Sequence, residues 1–351
     1  MGLLAGYKYS KPFTIQHTAD GAQTNYQVCL HIYRSAGVDG SEAFGAFTRG
    51  VVYLGSKCQA DYDDIRITTS DGTTLLDYFI DWCDANEAIL WIEIGSIPAH
   101  PNDFSGFIYY GNATATAVSS IDNTFIYGDD ADPDKSFLDS FSGTSNCELS
   151  TDQARSGTHS IKVKASTGET HWRKSTTINL PGLDLLRQII YYWCAGDADN
   201  SVNEVHHCTV FWTAADGLLG PHVAAQVSRN LQHYAGGSWN NSGIHLAHSQ
   251  WVQILTIIQF ATSKFEVYID GTLGIDDANY ISAMANNAAV KLEGGGQNKV
   301  TVGASVEHFF DNYMLAKFTT NEPTWGAWGS EVDHSVKCFG VSPKAITALL
   351  S

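Results

Sequence analysis

Positive charge is scarce in this chain. Twenty Lys and Arg stand against 37 Asp and Glu, a formal net charge of −17, and nowhere do the basic residues gather into a stripe. Such a surface repels phosphate backbones and anionic headgroups, so nucleic acid and acidic membranes are not expected partners. Charge of either sign is thin: at 16% it lies below the rough quarter usual for soluble domains, and Thr, Ser, Asn and Gly supply the polar surface instead. No run of about 20 apolar residues offers a membrane helix. The opening "MGLLAGYKYSKPFTI" lacks a basic segment followed by a long apolar one, so no signal peptide is read there. The seven cysteines (Cys29, Cys58, Cys83, Cys147, Cys194, Cys208 and Cys338) contain no C-x-x-C pair, which excludes a zinc ribbon or a thioredoxin-like motif. Most sit in apolar runs and read as buried free thiols, with folding in a reducing compartment, the cytoplasm, as the expectation.

What is present is β-structure. "YQVCLHIY" places Tyr26, Val28, Leu30 and Ile32 on one face and Cys29, His31 and Tyr33 on the other, the period of two that a strand requires. "DIRITTSDGTTLLDYFIDW" reads as a strand, an Asp71-Gly72 turn and a second strand; "AILWIEIGSIP" and "FSGFIYYGN" follow as two more. In "SKFEVYIDGTLG", Asp270-Gly271 between alternating apolar residues is a strong hairpin signal, because a type I′ turn needs positive φ at both central positions. Short strands punctuated by turns, with no long helix, give an all-β class of two β-sandwich domains in tandem. The expected division is 1–125 and 126–335, joined around the acidic, Pro-containing "YGDDADPDK", an exposed boundary. A tail, 336–351, has Ser342 and Pro343 placed to start a short docking helix.

Five segments, "YKYSKPFTI", "TNYQVCLHI", "DIRITTSDGTTLLDYFI", "WIEIGSIP" and "IYYGNATAT", resemble in order the archaeal and bacterial domain of unknown function 2341. Tyr7 stands where that family usually has Trp, Ser10 where it has Arg, and Phe79-Ile80-Asp81 replaces W-I-E. The resemblance spans roughly 5–125 and implies a β-sandwich of the kind appended to surface and binding proteins, without a known activity. From "DKSFLDSFSG" through "WVQILTIIQF", "FEVYIDG" and "VEHFFDNYMLAKF", the second half resembles a concanavalin A/laminin G-like jelly roll. That resemblance implies a calcium ion tying the first and last strands, with Asp139 and Asp311 at the ligand positions; the other reading is that both cap turns.

Function has to be read from sites, since a jelly roll serves lectins, lyases, hydrolases and capsids alike. A retaining glycosidase needs paired carboxylates about 5 Å apart. The one E-x-D, Glu331 and Asp333 in "EVDHS", falls after the last jelly-roll strand and reads as a polar linker. His206 and His207 are adjacent, so on a strand they face opposite ways and cannot share one ion; His222 and His233 lack a metal-binding spacing. Aromatics are more promising. The Gly-rich "HYAGGSWNNSG" sets Tyr234 and Trp239 beside Asn240 and Asn241, an apolar platform with hydrogen-bonding amides such as a sugar requires. Trp172 in "ETHWRKS" is a second exposed candidate, whereas Trp193, Trp212 and Trp251 read as core. These features point to a non-enzymatic surface or virion structural protein, folded in the cytoplasm, that binds glycans and associates with itself or with other structural proteins. The alternative is a polysaccharide-active jelly-roll lyase or glycosidase.

Overall fold

Residue alternation with a period of two organises the chain throughout. The computed structural model describes residues 3–132, 140–143, 147–164, 168–173, 178–194, 204–213, 219–226, 230–247, 249–287, 289–298 and 307–335. Within them the one α-helical element is the turn Ile121–Thr124. Four sheets pack as two sandwiches in tandem, as the strand pattern predicts.

In the first sandwich, one sheet orders Thr324–Trp328, Tyr9–Gln16, Phe104–Tyr110 and Arg66–Thr69, with Val332–Asp333 also paired to Tyr9–Gln16. The facing sheet orders Gly40–Phe44, Phe47–Tyr53, Gln23–Tyr33, Glu87–Ile97 and Tyr78–Cys83. Tyr26, Val28, Leu30 and Ile32 point into the core between them, against Phe13, Ile15 and Ile108. The Asp71-Gly72 turn forms, with the Asp71 carboxylate accepting from the backbone N–H of Thr73 and Thr74 at 2.7 and 2.8 Å. The two strands flanking it do not form a hairpin. After one bridge between Thr68 and Leu75, the chain crosses to the other sheet, where Tyr78 buries its ring in the core.

The second sandwich is a jelly roll of two eight-stranded sheets. One orders Ser140–Gly143, Gly168–Arg173, Ala289–Asn298, Glu204–Thr213, Leu219–Gln226, Asn230–Ala235 and Ser238–His245, with Ile178–Asn179 beside Ala289–Asn298. The other orders Cys147–Ser150, Ser160–Lys164, Glu307–Lys317, Leu185–Cys194, Val252–Gln259, Lys264–Ile269 and Thr272–Asn279, with Tyr127–Asp129 paired to Glu307–Lys317. The hairpin expected at Asp270-Gly271 is there, with φ of 45° and 79° at the two turn residues.

The chain path differs from a simple division at 125/126. Thr324–Trp328 and Val332–Asp333 return to the first sandwich and pair with Tyr9–Gln16, and Trp325 enters that sandwich's core. Glu331, read as part of a linker, is tied there too: Lys57 donates to one carboxylate oxygen and the Tyr110 hydroxyl to the other, at 2.5 Å. Asp333 turns back on the chain, accepting from the backbone N–H of Ser335 at 2.8 Å. Nor is the start of the connector exposed, since Tyr127–Asp129 is a strand of the jelly roll and Asp129 is buried. Residues 133–135 of the connector and the tail 336–351 lie outside the described residues.

The sheets that face each other across the two sandwiches are buried on both sides. Gln23–Tyr33 and Glu87–Ile97 send Cys29, Ile89 and Trp91 outward, where they meet Ile189, Tyr191, Leu255, Ile257 and Met314 from the jelly roll in a third apolar core. This explains the near-continuous apolar runs "LLRQIIYYWC" and "VQILTIIQ": a strand covered on both faces has no polar side to show. Two buried polar ties cross the same interface. The fully buried Asp81 carboxylate accepts from Arg155 at 2.8 Å, from Asn312 at 2.9 Å and from the Tyr191 hydroxyl at 2.6 Å. Arg187, 1% exposed, donates to the Gln27 carbonyl and to Glu322 at 3.0 Å, with its guanidinium 5.0 Å from the Trp91 ring centre. Turn meets turn as well: a Cβ on Gly45 would lie 3.1 Å from the Gly271 Cα. The "YIDG" hairpin is therefore a contact between the sandwiches in addition to closing two strands.

Candidate functional site

The segment 233–243 is a tight hairpin in place of the open loop that its glycines suggest. Asn230–Ala235 and Ser238–His245 pair in antiparallel register, with Tyr234 opposite Trp239, and Gly236 and Gly237 turn the chain with φ of 60° and 81°. Both positive values belong to a type I′ turn, which glycine enters without a Cβ penalty. The pair ends its sheet, so that among the described residues Ser238–His245 has a neighbouring strand on one flank only.

Three rings meet on one face of this hairpin. Tyr234 and Trp239 stack edge to face with centroids 5.3 Å apart, and His222, opposite Tyr234 on Leu219–Gln226, lies 5.0 Å from Trp239 and 6.0 Å from Tyr234. The next residue in register, His233, faces the other way, 5.9 Å from the core ring of Phe265, and burial lowers its pKa. His222 and His233 thus lie on opposite faces and cannot hold one ion between them. Asn241 is exposed on the Trp239 side, and its carbonyl oxygen accepts from the Gly243 N–H at 2.8 Å. Asn240 spends its amide on the turn itself, donating to the carbonyls of Ala235 and Ser238 at 3.3 and 3.2 Å. Half-buried rings beside an exposed amide can stack on the C–H face of a sugar and hydrogen-bond its hydroxyls.

Trp172 does not join this cluster. Its strand, Gly168–Arg173, belongs to the same sheet but lies five strands from Ser238–His245, roughly 24 Å at about 4.8 Å per strand. Asp139 falls outside the described residues. Asp311 is fully buried, and its carboxylate accepts backbone N–H bonds from Arg155 at 2.8 Å, Ser156 at 3.4 Å and Asn312 at 2.9 Å. Burial nevertheless raises its pKa to about 8, against the lowering effect of those bonds. Among the described residues no group of three or more His, Cys, Asp or Glu converges to hold a metal.

The sequence reading placed Trp251 and Trp193 in the core; both are half-buried, and Trp251 packs against the third apolar core. Trp193 stands edge to face on Phe309 with centroids 5.3 Å apart, and Trp251 lines a cavity between the sandwiches with Trp82, Arg49, Gln253 and Asp270. These residues come from both halves of the chain, and no local motif joins them. His222 was likewise missed as a partner of Trp239, because its place in the row depends on the register of a third strand. Of the described cysteines, Cys29, Cys58 and Cys83 are free thiols, the first two buried, and Cys194 is buried in the jelly-roll core. Burial pushes Cys29 up to about 12, so it stays protonated and unreactive. No described helix is long and apolar enough to cross a membrane.

Residues 61–144 match the model of a domain of unknown function (DUF2341), so the later motifs of the first-half resemblance fall inside the match and "YKYSKPFTI" and "TNYQVCLHI" precede it. No curated protein matches the chain. Among solved structures, similarity extends to the cellulose-induced protein Cip1, at 16% identity and a TM-score of 0.38 over 54% of this chain and 96% of that one. An endo-β-1,4-glucuronan lyase from the fungus Trichoderma reesei aligns at 11% identity and 0.41, over 56% and 96%. Lectin II from Ulex europaeus aligns at 11% and 0.36, over 50% and 93%. Likeness this distant says nothing of what this chain binds. Residues 61–144 of the chain thus resemble the domain of unknown function 2341, and the second sandwich is a two-sheet jelly roll in fold.

Proposed function

We propose that this is a non-enzymatic structural protein of a cell surface or virion that binds glycans through the hairpin face of its jelly roll. The observation that carries the reading is the cluster of His222, Tyr234 and Trp239 on one face of an edge hairpin, beside the exposed Asn241. The non-enzymatic part draws on Glu331, whose carboxylate is engaged by Lys57 and Tyr110 in holding the return strands. Association with further copies or with other structural proteins belongs to the same proposal, as does a structural calcium shared by Asp139 and Asp311. A fall in melting temperature on chelation supports the ion, and an unchanged curve removes it.

A glycan array on the purified chain tests the main claim. Trp239→Ala should weaken any glycan bound by about 1–2 kcal/mol, the scale of one aromatic platform, while melting stays nearly unchanged. Equal binding by parent and variant sinks the hairpin site. Glu331→Gln should leave behaviour on polysaccharides as in the parent; turnover by the parent that this change abolishes would favour the lyase or glycosidase reading.

A further inference from the structure

The cavity between the sandwiches, about 330 Å³, lies at the small end of the range typical of ligand pockets, roughly 300–1,000 Å³, and domain interfaces are where such pockets concentrate. Its walls are aromatic: Phe44, Trp82 and Trp251 are half-buried at its edge, and Asp270 reaches solvent beside them. Its two guanidinium groups are already neutralised in pairs. Arg49 contacts Glu42 at 2.8 Å and lies 3.9 Å above the Phe44 ring, and Arg155 is paired with Asp81.

Two hydrogen-bonding atoms on this lining are left over. Gln253 is 7% exposed; its amide nitrogen donates to the Tyr191 hydroxyl at 2.6 Å, which in turn donates to Asp81. That chain fixes the amide's orientation and leaves the buried Gln253 Oε1 without a partner among the described residues, as is the buried Arg49 Nε. A buried polar atom without a partner costs on the order of 1–3 kcal/mol, so an acceptor and a donor here each favour a ligand that completes them.

We infer that this cavity is a binding site for a single neutral hexopyranose ring, distinct from the hairpin face. A pyranose presents apolar C–H faces to the tryptophans and hydroxyls that both donate, to Gln253 Oε1 and Asp270, and accept, from Arg49 Nε. A carboxylated or phosphorylated ligand fits less well, because both guanidinium groups already have carboxylate partners and Asp270 adds negative charge. The site needs both sandwiches, since Arg49, Phe44 and Trp82 come from the first and Trp251, Gln253 and Asp270 from the second.

Tryptophan fluorescence of the full chain, titrated with D-glucose, D-galactose, N-acetyl-D-glucosamine and D-glucuronate, tests this. At least one neutral sugar should give a saturating change, and Gln253→Leu should weaken its Kd about tenfold or more. If Gln253→Leu does not fold, Trp82→Ala at the half-exposed edge carries the same expectation. Failure of all three neutral sugars to saturate, tighter binding of glucuronate, or indifference to both cavity variants overturns the assignment. Loss of sugar binding in Trp239→Ala alone would overturn it too, leaving the hairpin as the site.

Discussion

Removing the Asp81 carboxylate should show whether the two sandwiches unfold as one body. Asp81 belongs to the first sandwich, while Arg155, Tyr191 and Asn312, which donate to it, belong to the second. In Asp81→Ala the Arg155 guanidinium, with a side chain 10% exposed, keeps its charge and loses its counterion. Breaking a buried pair in this way costs about 3–5 kcal/mol. The resulting shift in melting temperature depends on the size of the unit that melts. At about 2.1 cal/mol/K per residue, a body of the whole chain's length has an unfolding entropy near 0.7 kcal/mol/K, giving a fall of about 4–7 °C. A jelly roll of roughly 200 residues melting alone would fall by about 7–12 °C, with the first sandwich unmoved. Scanning calorimetry on parent and variant should give one transition, displaced by the smaller amount. Two transitions of which one stays in place, or a loss below about 1 kcal/mol, would refute the coupling. Arg155→Met in the Asp81→Ala background should recover part of the loss, because it removes the stranded charge.

Gly45→Ala should destabilise the protein by at least about 1–2 kcal/mol, the cost of left-handed backbone for a residue with a Cβ, since Gly45 has φ of 60° and its added carbon would press on the Gly271 backbone at 3.1 Å. Gly95→Ala, where a Cβ meets nothing within 4 Å, is the control in urea titrations, and equal loss in both would remove the turn-on-turn contact from the account. Without a bound ion, the Asp311 carboxyl, raised by burial from 3.8 to about 8, holds a proton in the fold that the unfolded chain releases, so this prediction is for the chelator-treated protein. The carboxyl's contribution to stability is therefore fully present below about pH 4 and lost as pH rises through about 8. Asp311→Asn should flatten the stability profile across that window, and a parent whose stability does not decline there more than the variant's contradicts the assignment.

Local chemistry determined much of this protein in advance. Alternation in "YQVCLHIY" set which residues enter the first core, Asp270-Gly271 set a hairpin, and scarce charge with frequent turn signals set an all-β class, because each depends on dihedral preferences within a few residues. The tertiary structure decided what the second face of each strand meets. Cys29 and Trp91 alternate as a solvent face would, yet they are buried because another sheet covers them, and nothing within the strand encodes that cover. The return of Thr324–Trp328 to Tyr9–Gln16 joins segments some 300 residues apart, beyond the reach of any motif. Trp251 shows the same limit: its apolar surroundings in sequence suggested a core residue, and its place at the edge of a cavity depends on where Arg49 and Trp82 arrive from the other half. Propensity acts over a turn or a strand, whereas a site assembled from two sandwiches exists only once burial of both apolar faces has brought them together.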